Sequence, residues 1–239
     1  MNPTSERKRV KNGFDWRDFD AYLFDIDGTL LNSRGRVHYH SFTAAMRDVY
    51  GVEGTIDGVP WHGNTDVGIL RAALAKLGVD DYAFAAKREQ ALSVMRKELE
   101  NNASRVEAEL CPAISTLLKE LDSNEKLLGV SSGNLEVIGW VKLRAASIAQ
   151  YFKFGSFSDL NDTRVEIFRH GATLAQIYGK RGEATRICFI GDTPSDIDAA
   201  HKLGLPVIAV ATGIHKFDEL AGHEPEMCLT CCEDLYPRS

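Results

Sequence analysis

Two pairs of aspartates stand where apolar segments of the sequence end. Asp25 and Asp27 close the first segment, and Asp192 and Asp196 follow a later one. Because strand residues two apart face the same side, we expect the carboxylates of Asp25 and Asp27 to point at one spot. Unpaired buried carboxylates are costly, so this arrangement indicates a cation or another partner beside them.

Each pair also has a simpler explanation. Asp-Gly is a common turn dipeptide and Thr29 could cap a helix, but a turn does not explain two acids in an apolar segment. Thr193, Pro194 and Asp196 have the spacing of a helix capping box. That motif accounts for Asp196 and leaves Asp192 unexplained. We therefore favour Asp192 as a metal ligand, and the role of Asp196 stays open.

A candidate anion-binding turn follows another apolar segment, in the order Ser132, Gly133 and Asn134. Hydroxyls and backbone amides at a strand-to-helix turn form a ready anion site. The same residue types are common in ordinary loops. The turn therefore supports anion binding only together with the aspartates.

Four short apolar segments predict the buried strands that would position these residues. They cover residues 22–26, 127–130, 187–190 and 207–211. Apolar residues repeating at helical steps over 138–152 and 167–178 predict helices between the later strands. Strands that alternate with helices indicate an α/β fold with a doubly wound, Rossmann-like parallel sheet.

The interval between the first two strands is far longer than a single crossover helix needs. Apolar stripes near 42–49 and 92–99 indicate that this interval is helical. We therefore predict a small helical cap inserted after the first strand, over the edge where such sheets bind ligands. The predicted domains are a flexible tail (1–18), a core (19–34 and 112–239) and the cap (35–111).

Composition excludes several classes of protein. The net charge is −6 with no basic surplus, which argues against a nucleic-acid partner. No segment approaches the ~18 consecutive apolar residues of a membrane span, and residues 1–12 lack the apolar core of a signal peptide. We expect a cytoplasmic protein, and the sequence does not indicate its oligomeric state.

Three of the five cysteines lie close together, and Cys228 and Cys231 have a CxxC spacing. A tetrahedral zinc site needs four ligands, and no second pair of ligands stands nearby. We favour small buried residues with reduced thiols over a metal site.

Together these motifs resemble the haloacid dehalogenase superfamily of phosphatases, from about residue 19 onward. The family's first motif, Asp-x-Asp-Gly-Thr-Leu, matches residues 25–30, and its fourth, Gly-Asp-x-x-x-Asp, matches 191–196. Its second motif, a Ser or Thr that ends a strand, looks like Ser132. Within the superfamily the chain looks most like the phosphoglycolate phosphatase group, which shares the Gly-Asn after Ser132 and the Ala-Thr-Gly at 211–213.

The third motif of the family is a basic residue near the start of the helix before the third strand. Arg164 is the best match, and an arginine can hold a phosphate through two hydrogen bonds. Lys153 is the alternative. A third interpretation is that Arg164 is only a surface charge at a helix start.

The resemblance implies an enzyme, a Mg²⁺-dependent phosphomonoesterase with a covalent aspartyl phosphate. Asp25 would be the nucleophile and a metal ligand, and Asp27 the general acid and base as well as a ligand through its backbone carbonyl. Asp192 would bind the metal directly, and Asp196 directly or through water. The phosphate would be held by Ser132, Gly133, Asn134 and Arg164.

The implied substrate is a small phosphorylated metabolite, either phosphoglycolate-like or a sugar phosphate. A sugar phosphomutase keeps the same acids and stays open, and so does a catalytically inactive binding or regulatory module. A dehalogenase is disfavoured because those relatives lack the second acid that Asp27 provides.

The cap contains a second segment that resembles the family, Gly63-Asn64-Thr65-Asp66. The family often carries Gly-x-Thr-Asp there. A helix start capped by Thr65 is an equally good explanation, and we predict no substrate contact from this segment.

Overall fold

The computed structural model describes residues 7–236, which contain nine β-strands. These are β1 (Lys8–Val10), β2 (Ala21–Phe24), β3 (Leu31–Arg34), β4 (Glu107–Leu110), β5 (Leu127–Ser131), β6 (Phe154–Ser156), β7 (Ile187–Gly191), β8 (Val207–Val210) and β9 (Met227–Leu229). Seven of them form one sheet in the order β1-β9-β8-β7-β2-β5-β6, while β3 pairs with β4. All neighbours in the large sheet are parallel except β1 and β9. The sheet confirms the predicted α/β fold.

The same part of the chain contains eight α-helices. These are α1 (Val37–Tyr50), α2 (Asp66–Lys76), α3 (Asp81–Asn101), α4 (Ile114–Ser123), α5 (Glu136–Ala145), α6 (Arg164–Tyr178), α7 (Pro194–Lys202) and α8 (Phe217–Gly222). Helices α4 and α5 contribute to the apolar cluster on one face of the sheet, and α6, α7 and α8 to the cluster on the other. The sheet is therefore covered on both sides, as a parallel sheet requires.

The sequence of the central strand β2 is apolar throughout because both faces of the strand are buried. Tyr22 and Phe24 belong to the cluster that contains α4, and Ala21 and Leu23 to the cluster that contains α6. All four residues are fully buried. An alternating pattern would have left one face of β2 polar, and here both faces lie in the core.

The predicted flexible tail over 1–18 is wrong for its described part, residues 7–18. Strand β1 pairs antiparallel with β9 at the edge of the sheet, and Trp16 is buried. The residues of β1 are exposed, two of them charged and one a valine, so backbone hydrogen bonds hold the strand and no apolar pattern marks it. Residues 1–6 of the predicted tail lie outside the described residues.

The helix predicted over 138–152 ends earlier, at Ala145. Ser147 adopts a left-handed backbone (φ 57°), and a short 3₁₀ turn then brings Ile148 and Phe152 back to the core. Their burial produced a helical apolar pattern although the helix had already ended. The three-residue strands β6 and β9 were also not predicted from the sequence.

Helices α1, α2 and α3 fall inside the predicted cap interval and share one apolar cluster. This cluster also includes Ile138 and Val141 of α5, so the inserted helices pack directly on a helix of the core. Strands β3 and β4 join the insert to the sheet, with Leu31 opposite Leu110. Strand β3 ends at the first predicted boundary, on its core side, and β4 lies just before the second, on its cap side. The division into a separate core and cap stays a prediction.

None of the helices within residues 7–236 has both the length and the apolar character that a membrane crossing requires.

Candidate active site

The parallel register of β2 and β7 brings the two aspartate pairs together. Phe24 is aligned with Ile190, and the backbone N–H of Asp25 donates to Ile190 O (2.9 Å). Asp25 and Asp192 therefore leave adjacent strand ends at the same edge of the sheet. Asp25, Asp192 and Asp196 each place a carboxylate oxygen within 4.8 Å of the others, and all three are buried.

The turn after Asp27 packs tightly against Asp192. Gly28 has a left-handed backbone (φ 84°), and a Cβ atom at this position would collide with the Asp192 carboxylate. Thr29 Oγ1 donates to Asp192 Oδ1 (3.0 Å). The alternative role of Thr29 as a helix cap is wrong, because the chain passes directly into β3.

Arg164 is the basic residue that contacts the aspartate cluster. Its Nη2 lies 2.8 Å from Asp25 Oδ2, and its Nε donates to Asp196 Oδ1 (2.7 Å). Thr163 forms a capping box at the start of α6, which fixes the backbone that carries Arg164. The side chain is buried, so Arg164 is not a surface charge. Lys153, the alternative, is exposed and does not line the cavity above the aspartates.

Asp196 both caps α7 and faces the cluster. Its Oδ2 accepts from Thr193 N (3.0 Å) and Thr193 Oγ1 (2.7 Å), which confirms the capping box, and Pro194 is the first residue of α7. Its Oδ1 is held by Arg164. Both carboxylate oxygens of Asp196 therefore already have partners in the protein.

The cluster carries excess negative charge. Burial raises the pKa of Asp25 to about 6, with Arg164 opposing this effect and Asp196 adding to it. Burial and the nearby Asp25 and Asp196 also raise the pKa of Asp192 well above its usual value. Three buried carboxylates face one guanidinium, and a divalent cation that prefers oxygen ligands fits this donor set.

The carboxylate of Asp27 lies outside this cluster, contrary to the prediction that it converges with Asp25. Strand β2 ends at Phe24, so the two-residue alternation does not continue to Asp27. Asp27 Oδ2 instead accepts from Lys142 Nζ (2.6 Å) and Asn134 Nδ2 (2.9 Å). Asp25 and Asp27 still line the same cavity.

Lys142 is the residue of this site that the sequence analysis missed. Although burial alone would raise the pKa of Asp27, the Lys142 ammonium and hydrogen bonds from Lys142 and Asn134 lower it to about 2. Lys142 Nζ also donates to Asn134 Oδ1 (2.8 Å). One signal was present in the sequence: Lys142 lies four residues after Ile138, on the apolar stripe of α5. In the structure this lysine is buried.

The predicted anion-binding turn follows β5 and lines the cavity. Ser132 Oγ accepts from Asn134 Nδ2 (2.8 Å), and both residues are buried. Gly133 lies directly against the insert, where a Cβ atom would collide with the backbone oxygen of Asn64. The turn is therefore covered by the segment of the insert that leads into α2.

The Gly-x-Thr-Asp segment of the insert docks onto this turn. Thr65 caps α2, accepting from Gly68 N (3.0 Å), as the simpler explanation predicted. Asp66 N donates to Gly133 O (2.7 Å), and Asp66 Oδ2 accepts from Leu135 N (2.8 Å). This docking role of Asp66 had no signal in the sequence.

Comparison with known proteins identifies relatives over most of the chain. The family model described as haloacid dehalogenase-like hydrolase matches residues 22–210. A phosphoglycolate phosphatase of Yersinia pseudotuberculosis is 27% identical over 217 residues, covering 90% of each chain.

Solved structures of similar fold include a predicted phosphoglycolate phosphatase from Haemophilus somnus. It has a TM-score of 0.63 and 20% identity, and the match covers 91% of this chain and 96% of that one. CbbY from Rhodobacter sphaeroides in complex with phosphate has a TM-score of 0.64 and 17% identity, with 89% and 94% covered. At these identities the two structures support the fold alone.

Proposed function

The chain belongs to the haloacid dehalogenase-like hydrolase family, and from this membership we propose that it is a Mg²⁺-dependent phosphomonoesterase. It acts on a small phosphorylated metabolite through an aspartyl phosphate. The observation that carries this proposal is the position of Asp25, which lines the cavity between Arg164 and Asp192. Phosphoglycolate and sugar phosphates are the first substrates to test, since curated relatives are named phosphoglycolate phosphatases.

Asp25 is the proposed nucleophile. Arg164 fixes its carboxylate through Oδ2 (2.8 Å), so that an oxygen faces the cavity. Attack on phosphorus breaks the bond to the leaving alcohol and forms the aspartyl phosphate, which water then cleaves to free phosphate. Ser132, Gly133, Asn134 and Arg164 hold the phosphoryl oxygens.

Asp27 is the proposed general acid and base. Its side chain is 40% exposed and lines the cavity, and Lys142 and Asn134 hold Oδ2. The Lys142 ammonium keeps Asp27 ionised in the free site, with a pKa of about 2. The bound phosphate dianion raises that pKa, so that Asp27 gives a proton to the leaving oxygen and later takes one from the attacking water. Both contacts fix the orientation of the Asp27 carboxyl group, and proton transfer to the leaving oxygen depends on that orientation.

Asp25, Asp192 and the backbone carbonyl of Asp27 would hold Mg²⁺. Asp196 would act through water, because Thr193 and Arg164 already occupy its two oxygens. When bound, Mg²⁺ supplies positive charge that offsets the phosphate dianion and the neighbouring carboxylates.

We expect phosphate release from p-nitrophenyl phosphate to require Mg²⁺ and to stop when EDTA removes it. Mg²⁺ should also raise the melting temperature of the wild-type protein, since it binds the folded cluster and offsets its charge. In Asp192→Asn this rise should be lost, whereas the surface variant Asp198→Asn should keep it. Activity that is unaffected by EDTA over a broad pH range would contradict the proposal. With a sugar phosphate as the substrate, an isomerised sugar phosphate in place of free phosphate would identify a mutase.

Lys142→Met should slow the hydrolysis of alkyl phosphates more than that of aryl phosphates. Without the ammonium, Asp27 loses its strongest contact and its orientation toward the leaving oxygen, which matters most when the leaving group is poor. We expect a loss smaller than the ~10²–10⁴-fold that general acid–base catalysis contributes. Steady-state kcat on both substrate types measures it.

Lys153→Met is the matched control for Lys142→Met, because Lys153 is exposed and does not line the cavity. It should behave as wild type on both substrates. If Lys142→Met lowers kcat equally for alkyl and aryl phosphates, Lys142 has a structural role and no specific effect on Asp27.

A further inference from the structure

The cavity above the aspartates has a second side, which the inserted helices provide. Its aromatic and aliphatic part, the cap wall, consists of six residues, and polar or charged residues of the insert line the rest: Tyr39, Phe42, Ile56, Trp61, His62 and Ile69 form the cap wall. Four of the six carry aromatic rings and two are aliphatic. The floor of the cavity is polar and charged, so its two sides differ in chemistry.

The cavity is larger than the chemistry on its floor needs. Its volume is about 350 Å³, which lies in the range of sites that bind organic ligands. A phosphoryl group with a two-carbon acid would fill only the part above the carboxylates. Space beside the cap wall remains for a larger leaving group.

Charged side chains near the cap wall already lie beside other partners. His38 Nε2 is 3.1 Å from Asp66 Oδ1, and Asp57 Oδ2 accepts from Tyr39 Oη (2.9 Å). The Arg36 guanidinium lies 5.6 Å from the centre of the Tyr39 ring. A carboxylate on the leaving group would therefore meet the Asp57 carboxylate and basic groups that already have partners, namely His38, Lys142 and Arg36. This is a poor site for a second anion.

Trp61 presents an aromatic ring at the cavity. It is 54% exposed, and its ring centre lies 3.7 Å from that of His62 at an angle of 30°. Burial lowers the pKa of His62, which favours the neutral ring at this position. Flat aromatic groups gain from offset stacking on such surfaces, beyond the area that they bury.

We propose that the cap wall receives an uncharged aromatic leaving group, so that the substrates are phosphate monoesters of alcohols that carry an aromatic ring. This inference rests on the proposed phosphatase function. In the reaction the phosphorus–oxygen bond of the ester breaks, water supplies the new oxygen on phosphorus, and the aromatic alcohol leaves protonated. Short anionic esters such as phosphoglycolate are poor substrates on this basis.

The test compares benzyl phosphate, ethyl phosphate and phosphoglycolate in the presence of Mg²⁺. The leaving group of each ester is an alkyl alcohol, so differences in kcat/KM report the contacts that the leaving group makes with the protein. We expect benzyl phosphate to exceed the other two about tenfold, as stacking and burial of one ring would provide. Trp61→Ala should bring the benzyl-to-ethyl ratio close to one, and Trp61→Phe should retain most of it.

Tyr82→Ala is the control, since Tyr82 is an aromatic residue of α3 that is 86% exposed and does not line the cavity. It should leave the ratio unchanged. A wild-type ratio near one, or an equal loss on both esters in Trp61→Ala, would overturn the inference while leaving hydrolysis of ethyl phosphate as support for the phosphatase.

Binding to Asp25→Asn separates the two proposals when turnover is absent. Calorimetry with benzylphosphonate and ethylphosphonate, in the presence of Mg²⁺, measures how much the cap wall contributes to binding affinity without any chemical step. Tighter binding of the benzyl compound supports the inference, and equal binding overturns it. If the wild-type protein hydrolyses neither these esters nor acetyl phosphate, yet prefers benzylphosphonate, the phosphatase proposal fails and the leaving-group assignment fails with it, and only the binding of an aromatic ring at the cap wall remains.

Discussion

Asp25→Asn should abolish the release of phosphate while the protein remains folded. The amide has the size of the carboxylate but is not a nucleophile, so no aspartyl phosphate can form. The fold should tolerate the change, because the cluster holds three buried carboxylates against one guanidinium and loses one of its repelling charges. Phosphate assays and thermal melts measure the two effects.

Rapid acid quenching gives an independent check on the nucleophile. Wild-type protein mixed with a ³²P-labelled substrate should carry covalent phosphate, and Asp25→Asn should carry none. Asp198→Asn, a change of the same type on the exposed face of α7, should behave as wild type in both assays. Normal turnover by Asp25→Asn would refute the assignment.

Asp27→Asn should slow hydrolysis by roughly 10²–10⁴-fold, the usual contribution of a general acid and base. The amide cannot donate a proton to the leaving alcohol or accept one from water, so formation and cleavage of the aspartyl phosphate should both slow. The loss should be larger for an alkyl phosphate than for p-nitrophenyl phosphate, whose phenolate leaves without a proton.

Pre-steady-state measurements test the two halves of this expectation. The first turnover reports the formation of the intermediate, and its decay after substrate is exhausted reports cleavage. A variant that slows only one half-reaction would restrict Asp27 to one role. A wild-type rate at every pH would exclude Asp27 as the acid and base.

Much of the proposed site was predictable from the sequence, because its residues follow strand ends. Parallel strands in one sheet present their carboxyl ends at a common edge, so the sequence predicts that Asp25 and Asp192 lie close together. In the structure they belong to one cluster of carboxylates. The buried character of β2 was predictable for a similar reason, since a strand covered on both faces is apolar throughout.

Asp27 shows the limit of predicting side-chain directions from the alternation of strand residues. The two-residue alternation applies only within a strand, and β2 ends at Phe24. The direction of the Asp27 carboxylate is decided by Lys142, which is 115 residues away in the sequence. The sequence shows a lysine on the apolar face of a predicted helix, but it does not show that Asp27 is the partner of that lysine.

The sequence alone determined the fold class, the family and the acids that line the edge of the sheet, because these depend on local patterns and short motifs. The tertiary structure decided how the inserted helices meet that edge. Asp66 docks on the turn before Leu135, 69 residues further on, and the cap wall gathers rings from α1 and the loop after it, together with Ile69 of α2. Contacts between distant segments depend on packing, which no local pattern encodes.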